Sequence, residues 1–431
     1  MKGKDKQVLC GWNEAVDLVY QFLQRQTRAD RLLDTQLKPL PREERRRCQN
    51  LFFGTLRNLT LIDHVINQNV KQAPRARLRA HLLVTGFELM DVPDAVAVVV
   101  HHAVERAKES FSPAESRMVN AVARKLPHSI NEILERPAGS PPDLALRFSH
   151  PLWLVERWAG VFGLENTRSL LAWNQEPPAV FVRTFDSPNG GDGEALEPSG
   201  LESTPWSGFW RVRRGEWERA EQMIGEGRAY AQDPSTRLAP ELLGARPSET
   251  LLDLCAAPGG KSLLLAEALA GSGILVSLDQ PGAKERRLAE NMARYPWAKT
   301  SVVGADLRRC APGEMERRGL PSRYDGVLLD APCSNTGVLR RRVDARWQIR
   351  PEDIGRLASV QGELLRAAAG FVREGGRLVY STCSIEPDEN EQVVESFVRE
   401  SKGAFELVEK RLACPWEAGH DGAGAFLLKR T

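Results

Sequence analysis

Two cysteines fall where a chain can use them as nucleophiles. Cys333 follows Asp330-Ala331-Pro332 in "LLDAPCSNTGVLRRRVDARW" (328–347), and Cys383 follows Ser381-Thr382 in "LVYSTCSIEPDENEQVV" (378–394). Each comes just past an apolar run that reads as a buried strand. A thiol so placed can attack an electrophilic carbon and later leave, which is covalent catalysis. An unperturbed thiol, with pKa ~8.5, is only a few per cent thiolate at neutral pH, so nearby positive charge has to help it. Lys261 is the candidate for that charge, together with the dipole-positive ends of helices.

Lys261 lies in "CAAPGGKS" (255–262), a glycine-rich turn between an apolar run and an apolar-periodic one. Gly259-Gly260-Lys261-Ser262 matches the second half of a P-loop, but the pattern's first glycine would fall on Cys255. A side chain there disfavours the positive-φ backbone that wraps a phosphate. The dinucleotide fingerprint G-x-G-x-x-G fails too. What remains is a strand, a tight loop and a helix start, with Cys255, Ala256, Ala257, Pro258, Gly259, Gly260 and Lys261 facing a ligand. Acids recur at the ends of the following strands. Asp279 is placed to accept from both ribose hydroxyls of a nucleoside, Asp306 to reach an adenine edge, and Asp330 and Asp253 close the crevice. Capping and turn formation are the alternative for each aspartate alone. Four of them with no complete phosphate loop suit S-adenosylmethionine, whose sulfonium is cationic. A thiol beside a methyl donor points to C5 of a pyrimidine. Thiolate addition at C6 makes C5 enamine-like, C5 takes the methyl, and loss of the C5 proton releases the thiol. Asp330 could assist at N3 of the base if burial raised its pKa. The residues alone do not say which cysteine attacks.

The elements that position these groups are legible in outline. Residues 1–140 show apolar positions at helical spacing, for example Ala15, Val16, Val19, Tyr20 and Leu23, and are expected to form an all-α domain. "ERPAGSPPD" marks a boundary. Residues 144–235 are expected to form a small α+β subdomain, with a helix in "PLWLVERWAGVF", strands in "PPAVFVRTF" and "GFWRVRR", and a loop in "DSPNGGDGEALEPSG". From 236 to 431, short continuous apolar strands alternate with amphipathic helices, the pattern of a doubly wound, Rossmann-like α/β domain whose ligands bind at the carboxyl ends of the strands.

The 431 residues are 42% hydrophobic and 27% charged, ordinary for a soluble protein. No apolar stretch approaches the ~20 residues that span a bilayer, and the N-terminus lacks a signal-peptide core, so cytoplasmic residence and no membrane partner are expected. Seven cysteines without a C-x-x-C pair suggest neither disulfides nor a metal. Net charge is +2, yet residues 1–140 carry 22 Lys and Arg against 16 Asp and Glu, concentrated in "KPLPREERRR" and "KQAPRARLRA". That excess reads as a solvated helix face or as an electrostatic footprint for nucleic acid.

Residues 240–431 resemble the Nol/Nop/Sun family of RNA 5-methylcytosine methyltransferases through "LDLCAAPGGKS", "LDAPCSNTGVLRR" and "STCSIEPDENEQVV". The N-terminal segment resembles the NusB RNA-binding fold through "CQNLFFGTLRNLTLIDHVI" and "SRMVNAVARKL". The pairing implies an enzyme acting on 16S ribosomal RNA; a monomer is expected because nothing in the sequence suggests an obligate oligomer. The resemblance makes Cys383 the nucleophile, ties Cys333 to completing the reaction and releasing RNA, and gives the cofactor contacts to the glycine loop, Asp279, Asp306 and Asp330. Three departures stand out: Asn335 where the family usually has Gly, Val343 where Pro is commoner, and a C-terminal "HDGAGAFLLKR" without an aromatic pair. A pure RNA-binding or antitermination protein is the competing class, and two strand-end thiols argue against it. An amino-group methyltransferase would be expected to place an aromatic residue after Pro332, where Cys333 stands.

Overall fold

The computed structural model describes residues 10–25, 28–185, 200–295 and 299–431, and most of the expected "DSPNGGDGEALEPSG" loop lies outside them. The chain separates into two compact units, one of residues 1–176 with 342–349 and the other of 177–341 with 350–431.

The first unit is helical: α1 (Gly11–Arg25), α2 (Ala29–Gln36), α3 (Arg42–Arg57), α4 (Leu59–Gln68), α5 (Ala76–Asp91), α6 (Val96–Ser110), α7 (Pro113–Ala123), α8 (Leu126–Glu135), α9 (Pro141–Arg147) and α10 (Leu152–Gln175). On α3, Cys48, Leu51, Phe52, Thr55 and Leu56 are buried at helical spacing, and all but the polar Thr55 join Trp12, Ala15 and Val19 of α1 in one core. The Pro/Gly segment does interrupt the helices, between Glu135 and Pro141. It does not end the unit, because a capping box of Ser140 and Asp143 starts α9 and the chain packs on through α10. The first compact unit thus runs on past 135–143 to Glu176.

The second unit holds two sheets. Strands β1 (Phe181–Thr184), β2 (Leu201–Ser203), β3 (Phe209–Val212) and β4 (Ala229–Ala231) pair antiparallel in the order β2-β3-β1-β4. The helix Trp217–Gly225 covers one face through Ala220 and Met223. The larger sheet comprises β5 (Thr250–Leu254), β6 (Ile274–Asp279), β7 (Ser301–Gly304), β8 (Tyr324–Asp330), β9 (Val372–Thr382), β10 (Phe405–Ala413) and β11 (Ala423–Arg430), in the order β10-β11-β9-β8-β5-β6-β7. The five strands from β9 to β7 run parallel, and β11 and β10 add an antiparallel edge. The chain leaves β5 for β6 and β7, then crosses to β8 on the other side of β5. That reversal opens a crevice at the carboxyl ends of β5 and β8, the ligand position of a Rossmann-like sheet.

Candidate active site

The glycine loop turns out of β5 directly into the helix Gly260–Ala268. Cys255 adopts φ 58° and Gly259 φ 110°. The expectation that a side chain at 255 keeps the backbone out of the left-handed region is overturned: Cys255 takes that conformation while the next amide, Ala256 N, donates to Leu278 O at 3.1 Å and ties the turn to β6. Burial, reinforced by Asp279 and Asp330, pushes the Cys255 thiol far up, so it is an inert group and its backbone is the useful part.

The strand-end acids surround this loop. Asp279, almost fully buried at the end of β6, accepts from Ala257 N at 2.9 Å and Gln280 N at 2.7 Å. Asp306 follows β7, and its carboxyl is held below the usual range by hydrogen bonds from Arg308. Asp253 lies beneath the loop, where burial pushes its pKa up to about 7; Ser262 donates to it at 2.5 Å, and Ser277 donates to Ser262. At the end of β8, Asp330 accepts from Lys261 Nζ at 2.7 Å and Ser381 Oγ at 3.0 Å. Burial alone would lower the Lys261 pKa, and the Asp330 carboxylate more than offsets it, so Lys261 stays ammonium. These groups fit S-adenosylmethionine: carboxylates for a ribose and a cationic sulfur, backbone amides for a short loop contact, and no closed phosphate nest.

Beyond Lys261 the two cysteines meet. Their sulfurs are 3.2 Å apart, although Cys333 and Cys383 stand 50 residues apart in sequence. The hydrogen bond to Cys383, together with burial, holds the Cys333 thiol well above its usual value. A cavity of about 100 Å³ opens beside Cys383, walled by Lys261, Thr382, Asp233, Asp421 and Gly424. Asn335 has φ 64°, the left-handed region where Asn is the best substitute for Gly. Its Oδ1 is 3.5 Å from Cys383 Sγ and its Nδ2 donates to Cys333 O at 3.0 Å. The residue at 335 thus sits in a left-handed turn and adds an amide that contacts the Cys383 sulfur and the Cys333 carbonyl.

Several groups at the site carry no local sequence signal. Gln232, just after β4, donates to Gly260 O at 3.0 Å and accepts from Arg183, and Asn291 donates to Pro258 O at 2.8 Å, so the smaller sheet and a helix buttress the loop. Arg341 is clamped between Asp233 and Asp421 at the cavity wall. Cys48 and Cys310 are buried and Cys10 and Cys414 half-buried, and burial pushes the Cys48 thiol up to about 12. Among the described residues no cluster could hold a metal and no helix is long and apolar enough to cross a membrane.

The expected basic footprint is largely engaged in pairs within the helical unit. Arg75 bonds Glu115, Arg77 bonds Asp17, Arg79 bonds Asp63 and Arg47 bonds Glu88. Arg45 donates to Leu40 O. "VDARW" belongs to that unit as well: Val343 is in its core, and Arg346 donates to the carbonyls of Arg57, Ser149 and Asn174.

The family model for 16S rRNA methyltransferase RsmB/F matches residues 240–419, and that for the NusB family matches 13–127. The probable ribosomal RNA small subunit methyltransferase B of Bacillus subtilis is 30% identical over 90% of this chain and 87% of its own length. The ribosomal RNA small subunit methyltransferase B of Pseudomonas putida is 32% identical over 90% and 91%. Among solved structures, the crystal structure of PH0851 shares the fold with a TM-score of 0.74 at 23% identity, covering 99% of this chain and 100% of that one. The chain carries a NusB-type helical domain ahead of an S-adenosylmethionine-dependent methyltransferase domain and belongs to the 16S rRNA methyltransferase RsmB/F family.

Proposed function

We propose that the chain methylates C5 of a cytosine in 16S ribosomal RNA through a covalent bond between Cys383 and C6 of the base. The observation that carries this reading is the thiol pair: Cys383 beside a small cavity, Lys261 on its wall, and a protonated Cys333 at 3.2 Å. The names of the relatives, rRNA small subunit methyltransferases, support the substrate class.

The cavity receives a base extruded from its stack. Cys383 sulfur adds to C6, the S–C6 bond forms, and the C5=C6 pair becomes nucleophilic at C5. S-adenosylmethionine, held by the glycine loop, Asp279, Asp306 and Asp330, supplies an electrophilic methyl group. Lys261 and Cys333 act on Cys383 in opposite phases: the ammonium and the S–H donor stabilise its thiolate before attack, and Cys333 protonates its sulfur as the S–C6 bond breaks. In the same step the Cys333 sulfur takes the C5 proton, and the C5–H electron pair re-forms C5=C6 and expels the Cys383 sulfur, so protons and electrons balance. Asp330 already accepts from Lys261 and Ser381, so it is arranged as an acceptor for the amino group of cytosine, and Lys261 is the adjacent proton donor, in place of the acid role expected of Asp330.

RNA carrying 5-fluorocytidine at the target tests this, since fluorine blocks the final elimination. Wild type and Cys333→Ala are expected to form a denaturant-resistant adduct and Cys383→Ala none. An adduct lost only with Cys333→Ala would reverse the roles, and none in wild type would refute the covalent route.

A further inference from the structure

Each thiol is followed by a serine, Cys333-Ser334 and Cys383-Ser384, and one carboxylate serves both. Glu389 is fully buried in the short turn Pro387–Glu389. Its Oε1 accepts from Ser334 N at 2.9 Å and its Oε2 from Ser334 Oγ; Ser384 Oγ donates to the same Oε2 at 2.6 Å. Gln361 Nε2 donates to Oε1 at 2.9 Å and also to Pro332 O at 2.9 Å, on the other side of Cys333. Four donors converge on this carboxylate, and three of them come from the residue after each cysteine. Asn390, its neighbour, fixes the second loop again by donating to Ser384 O at 2.9 Å. A carboxylate can accept from so many donors at once; a neutral amide cannot, because one of its two ends is itself a donor.

We propose that Glu389 is the positioning residue that sets the sulfur-to-sulfur spacing of Cys333 and Cys383, by binding the residue that follows each, and through it the proton exchange between them. The proposal rests on the reading that Cys383 attacks and Cys333 exchanges a proton with it. Glu389 makes no hydrogen bond to either sulfur; it acts on them through the two backbones, and its charge also helps hold the Cys333 thiol up, an effect that the two serine variants and Glu389→Asp leave in place. Proton exchange between sulfurs falls off within a few tenths of an ångström, so a loop held loosely is a slow one.

The test compares full-length wild type with Glu389→Gln, Ser334→Ala, Ser384→Ala and the charge-preserving Glu389→Asp. The spacing is read chemically by the rate at which diamide closes a Cys333–Cys383 disulfide, the reagent accepting two electrons and two protons from the thiols as it becomes a hydrazine. The bridged peptide is quantified by mass spectrometry. Glu389→Gln is expected to slow closure and kcat each about tenfold or more, while the RNA KM and the calorimetric Kd for S-adenosylmethionine stay within about twofold. Glu389→Asp is expected to recover part of both rates. If Glu389→Gln does not fold, the two serine variants carry the test, with smaller losses in the same two rates. Closure and kcat both within twofold of wild type in a folded Glu389→Gln protein, or in both serine variants, would overturn the proposal. Slowed closure in a protein whose wild type forms no 5-fluorocytidine adduct would instead leave Glu389 as the spacer and remove the covalent reading.

Discussion

Asn335 shows how a single side chain answers to backbone and chemistry together. At φ 64° an alanine is strained by about 1 kcal/mol or more, whereas glycine is at ease. The amide also approaches Cys383 Sγ at 3.5 Å, but a thiol is a weak donor and such a contact is a second-order one. Asn335→Ala is therefore expected to lose about 1 kcal/mol in thermal unfolding and several-fold in turnover, with Asn335→Gly close to wild type in both. Turnover falling equally in the two variants would transfer the role from the backbone to the amide. The residue types at the site were legible in the sequence because chemistry constrains them: two thiols, a lysine and strand-end acids. Their juxtaposition was not, since the 3.2 Å between Cys333 and Cys383, and the hydrogen bond and burial that hold the Cys333 thiol up, arise only when β8 and β9 lie side by side.

At the scale of elements, the site depends on three loops meeting at Gly337. Gly337 N donates to Cys383 O at 3.0 Å, and Gly422 N donates to Gly337 O at 2.8 Å. A Cβ at 337 would come within 2.7 Å of Cys383 O and 2.8 Å of Gly422 O, both backbone atoms that cannot swing away. Gly337→Ala is expected to cost about 1–3 kcal/mol in denaturant unfolding and to remove most of the adduct formed with 5-fluorocytidine RNA. Retention of both would mean that the loops have slack. Strands β5, β6, β8 and β9 could be read as buried apolar runs because helices cover both faces of a parallel sheet. Strand β10 could not: it is an edge, and in "FELVEKRLA" only Phe405 and Ala413 are buried, so its pattern looks like surface. The three-residue strands β2 and β4 are too short to set a period, which also hid Gln232 and its hold on the glycine loop.

On the scale of the whole molecule, the chain crosses between its units at Glu176, at Arg341 and again at Ile349. The sequence carries no sign of these crossings at 341 and 349, because "RRVDARW" continues a catalytic motif without any break in composition. What seats Arg342–Ile349 in the helical unit is specific. Val343 is fully buried, Asp344 accepts from Ala29 N, Trp347 Nε1 donates to Leu56 O, and the buried Arg346 guanidinium donates through both terminal nitrogens to four carbonyl oxygens while its Nε has no partner among the described residues. Burial, with Arg57 nearby, pulls the Arg346 pKa well below its usual value, yet carbonyl acceptors on several elements favour the cation. A protease site engineered between Glu176 and Pro177 separates the two covalent pieces without touching this segment. The nicked protein is expected to elute as one particle on native size exclusion, held by the segment's seat in 1–176. Arg346→Glu turns four acceptors against a buried anion; it is expected to cost about 3–5 kcal/mol in the intact chain and to let the nicked pieces elute apart. Two particles from the nicked wild type would show that this seat is too weak to join the units, and one particle from nicked Arg346→Glu would show that Arg346 is not what secures it.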